Sequence, residues 1–156
     1  MTDLINPNTA DGAKTLTNLQ ILRDYMAMLP ENHEHFDMWD FFTEGDGFPV
    51  KPKEVTRGSI NECGTSACLL GHAALILNAP ERYDSWLEYS RSIFPALHSA
   101  GAMSDNYIWE FLFSADWAHH NNTLPSAVKR LDYVLKRRTY PPGFWDGSRY
   151  GFEVSF

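Results

Sequence analysis

The side chains best able to do chemistry sit in one short stretch, Asn61-Glu62-Cys63-Gly64-Thr65-Ser66-Ala67-Cys68-Leu69-Leu70-Gly71-His72. Two thiols and an imidazole, Cys63, Cys68 and His72, stand there in a C-x4-C-x3-H spacing. Thiolate sulfur and imidazole nitrogen are the ligands of structural zinc, which needs four of them, and His98, His119 and His120 are candidates for the fourth place. Familiar zinc motifs pair cysteines more closely, so this spacing lies at their loose edge. Cys68 and His72 are four apart and share a face if the stretch is helical. The same residues suit a thiol centre, because exposed amides and the dipole of a following helix would stabilise a thiolate at Cys63. A third reading needs no reaction. Gly64 permits a tight entry into a helix, Thr65 caps it, Gly71 and Ala73 admit a close neighbour, and Cys68 and His72 pack as core residues.

A second constellation is electrostatic. The net charge is −7, and residues 24–50 hold Asp24, Glu31, Glu34, Asp37, Asp40, Glu44 and Asp46 with no Lys or Arg, whereas residues 129–156 sum to +3. Glu31, Glu34, Asp37 and Asp40 recur every three residues; on a helix that stripe drifts by about 60° per step into a broad patch rather than one sharp face. Such a block repels phosphate backbones, which argues against direct nucleic-acid binding, and attracts a protein partner with a basic surface. It is also what a solvated face looks like. Asp37 has a further possible task, capping or anchoring buried backbone. A small-nucleotide sponge is a separate possibility, with Arg137, Arg138 and Arg149 supplying charge beside Trp and Tyr rings. The chain has no Gly-rich phosphate loop, Rossmann fingerprint, paired-carboxylate pattern or H-E-x-x-H motif.

These residues need a scaffold, and 156 residues with 44% hydrophobic and 14% aromatic content predict one domain, 1–156, able to bury its own core. Leu16, Leu19, Leu22, Met26 and Leu29 mark one face of a helix over Thr15 to Leu29, stopped by Pro30, with residues 1–14 as a flexible segment. Residues 31–43 crowd Phe36, Met38, Trp39, Phe41 and Phe42 and fit either a helix or an irregular apolar plug. Residues 44–60, rich in Gly, Pro and Lys, predict a long loop. Ser66 to Asn78 is apolar nearly all round and predicts a buried central helix capped by Thr65. Further helical spacing runs over Pro80 to Phe94 and Asp105 to Phe113. Thr123 and Pro125 open a last helix, Leu124 to Arg137, with Val128, Leu131, Val134 and Leu135 inward. The aromatic tail 140–156, with Pro141-Pro142-Gly143 and Asp146-Gly147, predicts a hairpin or extended arm. The expected fold is mainly α, an irregular bundle of four to six helices. No apolar run reaches the roughly 20 residues of a membrane helix, and the polar start MTDLINPNTADG lacks an export pattern, so the expected location is the cytoplasm.

Two resemblances follow from these residues. Glu62-Cys63-Gly64 ahead of an apolar helix resembles the start of the bacteriocin-processing type of papain-like peptidase, which implies a cysteine nucleophile; that family has a glutamine where this chain has Arg57. Phe36-Asp37-Met38-Trp39, followed by Cys63-Gly64-Thr65-x-x-Cys68-x-x-Gly71-His72-Ala73, resembles a family of small uncharacterised phage and bacterial proteins. Its members show F-D-M-x-x-W and C-G-T-x-x-C-x-x-G-x-A, then a Leu/Phe–Trp stretch and a closing helix opened by T-P or a close variant. Phe111 to Trp117 and Thr123 to Leu135 match those parts, so the likeness spans roughly residues 36–137; here Trp39 follows Met38 directly. This second resemblance implies a fold and a phage-type origin, with the host cytoplasm as location, and no activity. The expected function is a non-catalytic accessory factor that engages a host or defence protein through an acidic and aromatic surface, without a cofactor. Its rivals are the zinc or thiol centre and the nucleotide sponge.

Overall fold

The computed structural model describes residues 4–30, 33, 35–44, 48–55, 66–77, 79–98, 107–119 and 122–142. Among them are five α-helices and a three-stranded sheet: α1 Ala10–Met28, β1 Phe42–Glu44, β2 Phe48–Pro49, β3 Ser66–Ala67, α2 Leu69–Ile76, α3 Trp86–Ile93, α4 Tyr107–Phe113 and α5 Leu124–Arg137. The fold is mainly α, as expected from the periodicity. None of the described helices is long and apolar enough to cross a membrane.

α1 starts five residues before the expected Thr15. Thr9 is the cap, its hydroxyl accepting the Gly12 amide at 3.0 Å. Gly12 is required there, since a Cβ would lie 1.7 Å from the Asn6 carbonyl oxygen. Thr15 is buried inside the helix instead, and its hydroxyl accepts the Ala96 amide at 2.9 Å. Within the segment 4–14, Ile5 is buried and its amide donates to the Arg138 carbonyl at 2.9 Å. The inward face, Leu19, Leu22 and Met26, matches the periodicity.

α5 begins and ends as its sequence predicts. The Thr123 hydroxyl accepts the Ser126 amide at 3.3 Å, and Pro125 occupies the first turn. Leu131 and Val134 are buried, and Lys136 and Arg137 complete the last turn. α5 packs along α1, and the Arg23 Nε–H donates to the Asp132 carboxylate at 2.7 Å across that seam.

The region between α1 and α2 departs most from expectation. Residues 33 and 35–41 form the irregular plug and hold no helix. The 44–60 loop is broken up by β2 and by a 3-10 turn at Pro52–Glu54. β1 pairs antiparallel with both β2 and β3, giving the order β2-β1-β3. Because Ser66 and Ala67 pair with Thr43 and Phe42, the central helix starts at Leu69, three residues late, with Cys68 as its cap position. The expected Thr65 cap lies outside the described residues, as does the tail beyond Pro142. α2 is buried over Leu69 to Leu75, at the centre of a core that includes Leu22, Tyr89, Phe94, Phe111 and Leu131.

Candidate functional site

The structure gives Cys68 and His72 a shared but inward setting. Both are essentially without solvent exposure. The His72 ring sets its Nδ1 at 3.1 Å from the Cys68 carbonyl oxygen, which can only accept, so the proton belongs on Nδ1. Tyr25, His33 and Phe36 surround the ring at centroid distances of 6.3, 5.7 and 6.0 Å. Burial pushes the imidazole down to about 4, which leaves it neutral at physiological pH. Burial also pushes the Cys68 thiol up to about 11, although the amides of Gly71 and Leu70 at the start of α2 act the other way. The dipole of an eight-residue helix does not overcome the loss of water.

Cys63 and His120 lie outside the described residues. His98 is elsewhere, its Nε2 2.8 Å from the Ser90 hydroxyl, and His119 sits edge-on to Trp39. Among the described residues no three His, Cys, Asp or Glu side chains are arranged to hold a metal ion.

The acidic block divides. Glu31, Glu34 and Asp46 lie outside the described residues. Asp37 is an anchor: one carboxylate oxygen accepts the Trp39 amide at 2.9 Å and the Asn122 side-chain amide at 3.0 Å. Asn122 in turn accepts the Met38 amide at 2.9 Å, so the plug is tied to the residue before the α5 cap. Glu44 is half-buried on β1. Asp40 is exposed, and beside it Trp39 leaves 55% of its surface in solvent.

Trp39 and Asp40 form one wall of a cleft of about 430 Å³, and Trp109 and Glu110 of α4 contribute the other named groups, with Cys68 and Ser114 also in the lining. Three features place these walls. The Asp40 and Phe41 carbonyls accept the Cys68 amide at 3.2 and 3.3 Å, fixing the plug over the start of α2. Gly71 allows that approach, because a Cβ there would lie 1.7 Å from the Phe41 carbonyl oxygen. The Trp109 indole N–H donates to the Ser90 hydroxyl at 2.9 Å, which orients its ring. Among the described residues the lining carries two carboxylates and no Lys, Arg or His.

Trp109 and Glu110 were not singled out from sequence. The available signal was a repeated Trp-acid dipeptide, Trp39-Asp40 and Trp109-Glu110; a third copy, Trp145-Asp146, lies outside the described residues. Arg130 was missed too. It is fully buried on α5, with its guanidinium 4.3 Å from the Trp117 ring centroid and Nη1 donating to the Ser126 hydroxyl at 3.1 Å. Burial pushes it down to about 9, so it remains charged at neutral pH.

Of the arginines proposed for a nucleotide, Arg137 borders a groove of about 270 Å³ on α5 with Lys129, Tyr133 and Lys136, Arg138 closes the helix in a left-handed conformation, and Arg149 lies outside the described residues. No family model, curated protein or solved structure matches the chain.

Proposed function

We propose that the protein is a non-catalytic binding protein, an accessory factor of the phage type, that engages a host or defence protein through an acidic and aromatic surface. The observation that carries this reading is the cleft between the plug and α4, where two carboxylates and two tryptophans line the walls and, among the described residues, no Lys or Arg joins them. A cationic group entering it finds charge of the opposite sign and aromatic faces. Among the described residues of the acidic block, Asp40 belongs to this surface and Asp37 supports it through Trp39 and Asn122, while Glu110 joins it from α4. Cys68 and His72 suit the same reading as packing residues, since a thiol held near 11 and an imidazole held near 4 are poorly matched to nucleophilic work at neutral pH.

The test uses a short cationic peptide as a stand-in for the basic partner, titrated by calorimetry between 25 and about 250 mM salt, a span over which screening shortens sharply. Affinity is expected to fall with salt and to drop about ten-fold in Asp40→Asn/Glu110→Gln, a fair sum for two partly exposed charges. Glu81→Gln/Glu88→Gln makes the same change in net charge at two exposed positions and should have little effect. Equal losses in the two double variants would mean that the peptide reads net charge alone and would overturn the assignment to the cleft.

A further inference from the structure

We propose that Ser126 is a phosphorylation site and that the buried guanidinium of Arg130 receives its phosphate. Neither residue lines the cleft, so this site stands or falls independently of the basic-partner reading.

Arg130 is what points to an anion. Its side chain is wholly buried, yet among the described residues Nε and Nη2 have no hydrogen-bond partner and no carboxylate pairs with the guanidinium. Nη1 donates to the Ser126 hydroxyl at 3.1 Å, and the Trp117 ring at 4.3 Å adds a cation–π attraction. Taking a guanidinium out of water without a counter-charge is costly, and burial accordingly pushes Arg130 down to about 9. A neutral hydroxyl offsets none of that cost. A phosphate on the same oxygen brings close to two negative charges and three strong acceptors, beside a planar fork of donors that suits them.

The helix favours the same event. Ser126 stands in the first turn of α5, which holds no acidic residue, so the positive end of a 14-residue helix has no side-chain charge set against it. Exposed Lys129 adds a cation three residues on. α3 is the contrast: Ser85 caps it, but Glu88 occupies its first turn, where a phosphate would meet like charge. Ser126 is half-buried near a helix end, which frays more readily than a helix interior. The phosphate donor is a nucleoside triphosphate bound to a serine kinase. Ser126 Oγ attacks the γ-phosphorus, the new O–P bond forms as the bond from that phosphorus to the bridging oxygen breaks, the hydroxyl proton passes to the kinase's base, and nucleoside diphosphate leaves. Asn122, which holds the plug through Asp37 and Met38, directly precedes the Thr123 cap, so the phosphate secures the end of α5 to which the plug is tied.

The experiment has two arms, both on the full chain. In the first, phosphoserine is installed at Ser126 and its phosphorus resonance is followed through pH, together with the Arg130 Nε–H resonance. The second phosphate ionisation is expected to fall by about one pH unit below its ordinary value of about 6, and Arg130→Met should restore that value. Phosphoserine at Ser85 leaves Arg130 in place and should titrate near the ordinary value. An ordinary ionisation at Ser126 with an unmoved Arg130 resonance would overturn the receptor, as would loss of the native spectrum on phosphorylation. In the second arm, serine kinases selected for labelling a peptide of residues 120–133 are given ATP and the native chain, and mass spectrometry locates the phosphate. Label on Ser126, absent in Ser126→Ala, is expected; a native chain that stays unlabelled would overturn the site. Movement of the Arg130 resonance by millimolar inorganic phosphate in the unmodified chain would make the turn a site for a free anion and overturn the covalent assignment.

Discussion

The turn that opens α2 and the cleft beside it share Cys68, yet they treat their polar groups in opposite ways. In the turn, a thiol and an imidazole with strong intrinsic chemistry are buried, held neutral and engaged with backbone. In the cleft, carboxylates and tryptophans with modest chemistry line the walls. Reactive residue types are informative only with their solvent exposure attached. Desolvation decides the outcome here, because it acts against the charged form of each buried group and outweighs the helix amides that would favour a thiolate.

The sharpest way to break this comparison is Gly71→Ala. A Cβ at Gly71 would meet the Phe41 carbonyl oxygen at 1.7 Å and the Ala67 side chain at 2.8 Å, so the plug would have to leave the helix. A loss of about 3 kcal/mol or more is expected in denaturant unfolding, at the upper end of overpacking effects. Near-parental stability would show that the plug is not seated on α2 as described.

Acid comes next. His72 has its folded value lowered to about 4 from an ordinary 6.5, so between those values the unfolded chain binds the proton and the folded chain does not. Stability attributable to neutral His72 is complete above about pH 6.5 and falls as pH drops toward 4, by roughly 3 kcal/mol at most. His33 faces the ring and, with His35 behind it, opposes its protonation further, and Tyr25 adds no positive charge. Urea midpoints from pH 7.5 to 4.5 should decline, and His72→Gln should flatten the decline. A profile that is flat in the parent protein would place His72 in water.

The smallest of these effects is Cys68→Ala, a short core truncation expected to cost about 1–2 kcal/mol. Its companion readout is native-state alkylation at neutral pH, which should be slow at Cys68 while the fold is intact. Rapid modification would mark a reactive thiol and reopen the nucleophile reading.

How much of this was legible depends on which forces act locally. α5 could be read almost to the residue, because Thr123, Pro125, the apolar spacing and the closing Lys136 and Arg137 are all signals within one element. The inward face of α1 was legible for the same reason, but its start was not. Its cap, Thr9, is held by a turn from Asn6 and lies outside the apolar periodicity. α2 was misread by three residues because Ser66 and Ala67 pair with a strand more than 20 residues earlier, which local pattern cannot report. The candidate site was half legible. Trp39, Asp37 and Asp40 stood in a visible aromatic and acidic cluster, whereas Trp109 and Glu110 join them only through the packing of α4 against α2.

The central claim is that binding belongs to the cleft and not to the Cys-His turn. The most direct test titrates one arginine peptide into the parent protein, Asp40→Asn/Glu110→Gln and His72→Gln, side by side at pH 7.5 and low salt. The account predicts about a ten-fold loss in the carboxylate variant and affinity within about two-fold of the parent in His72→Gln, consistent with two charges removed against none. Loss of binding in His72→Gln with the carboxylate variant unaffected would contradict it.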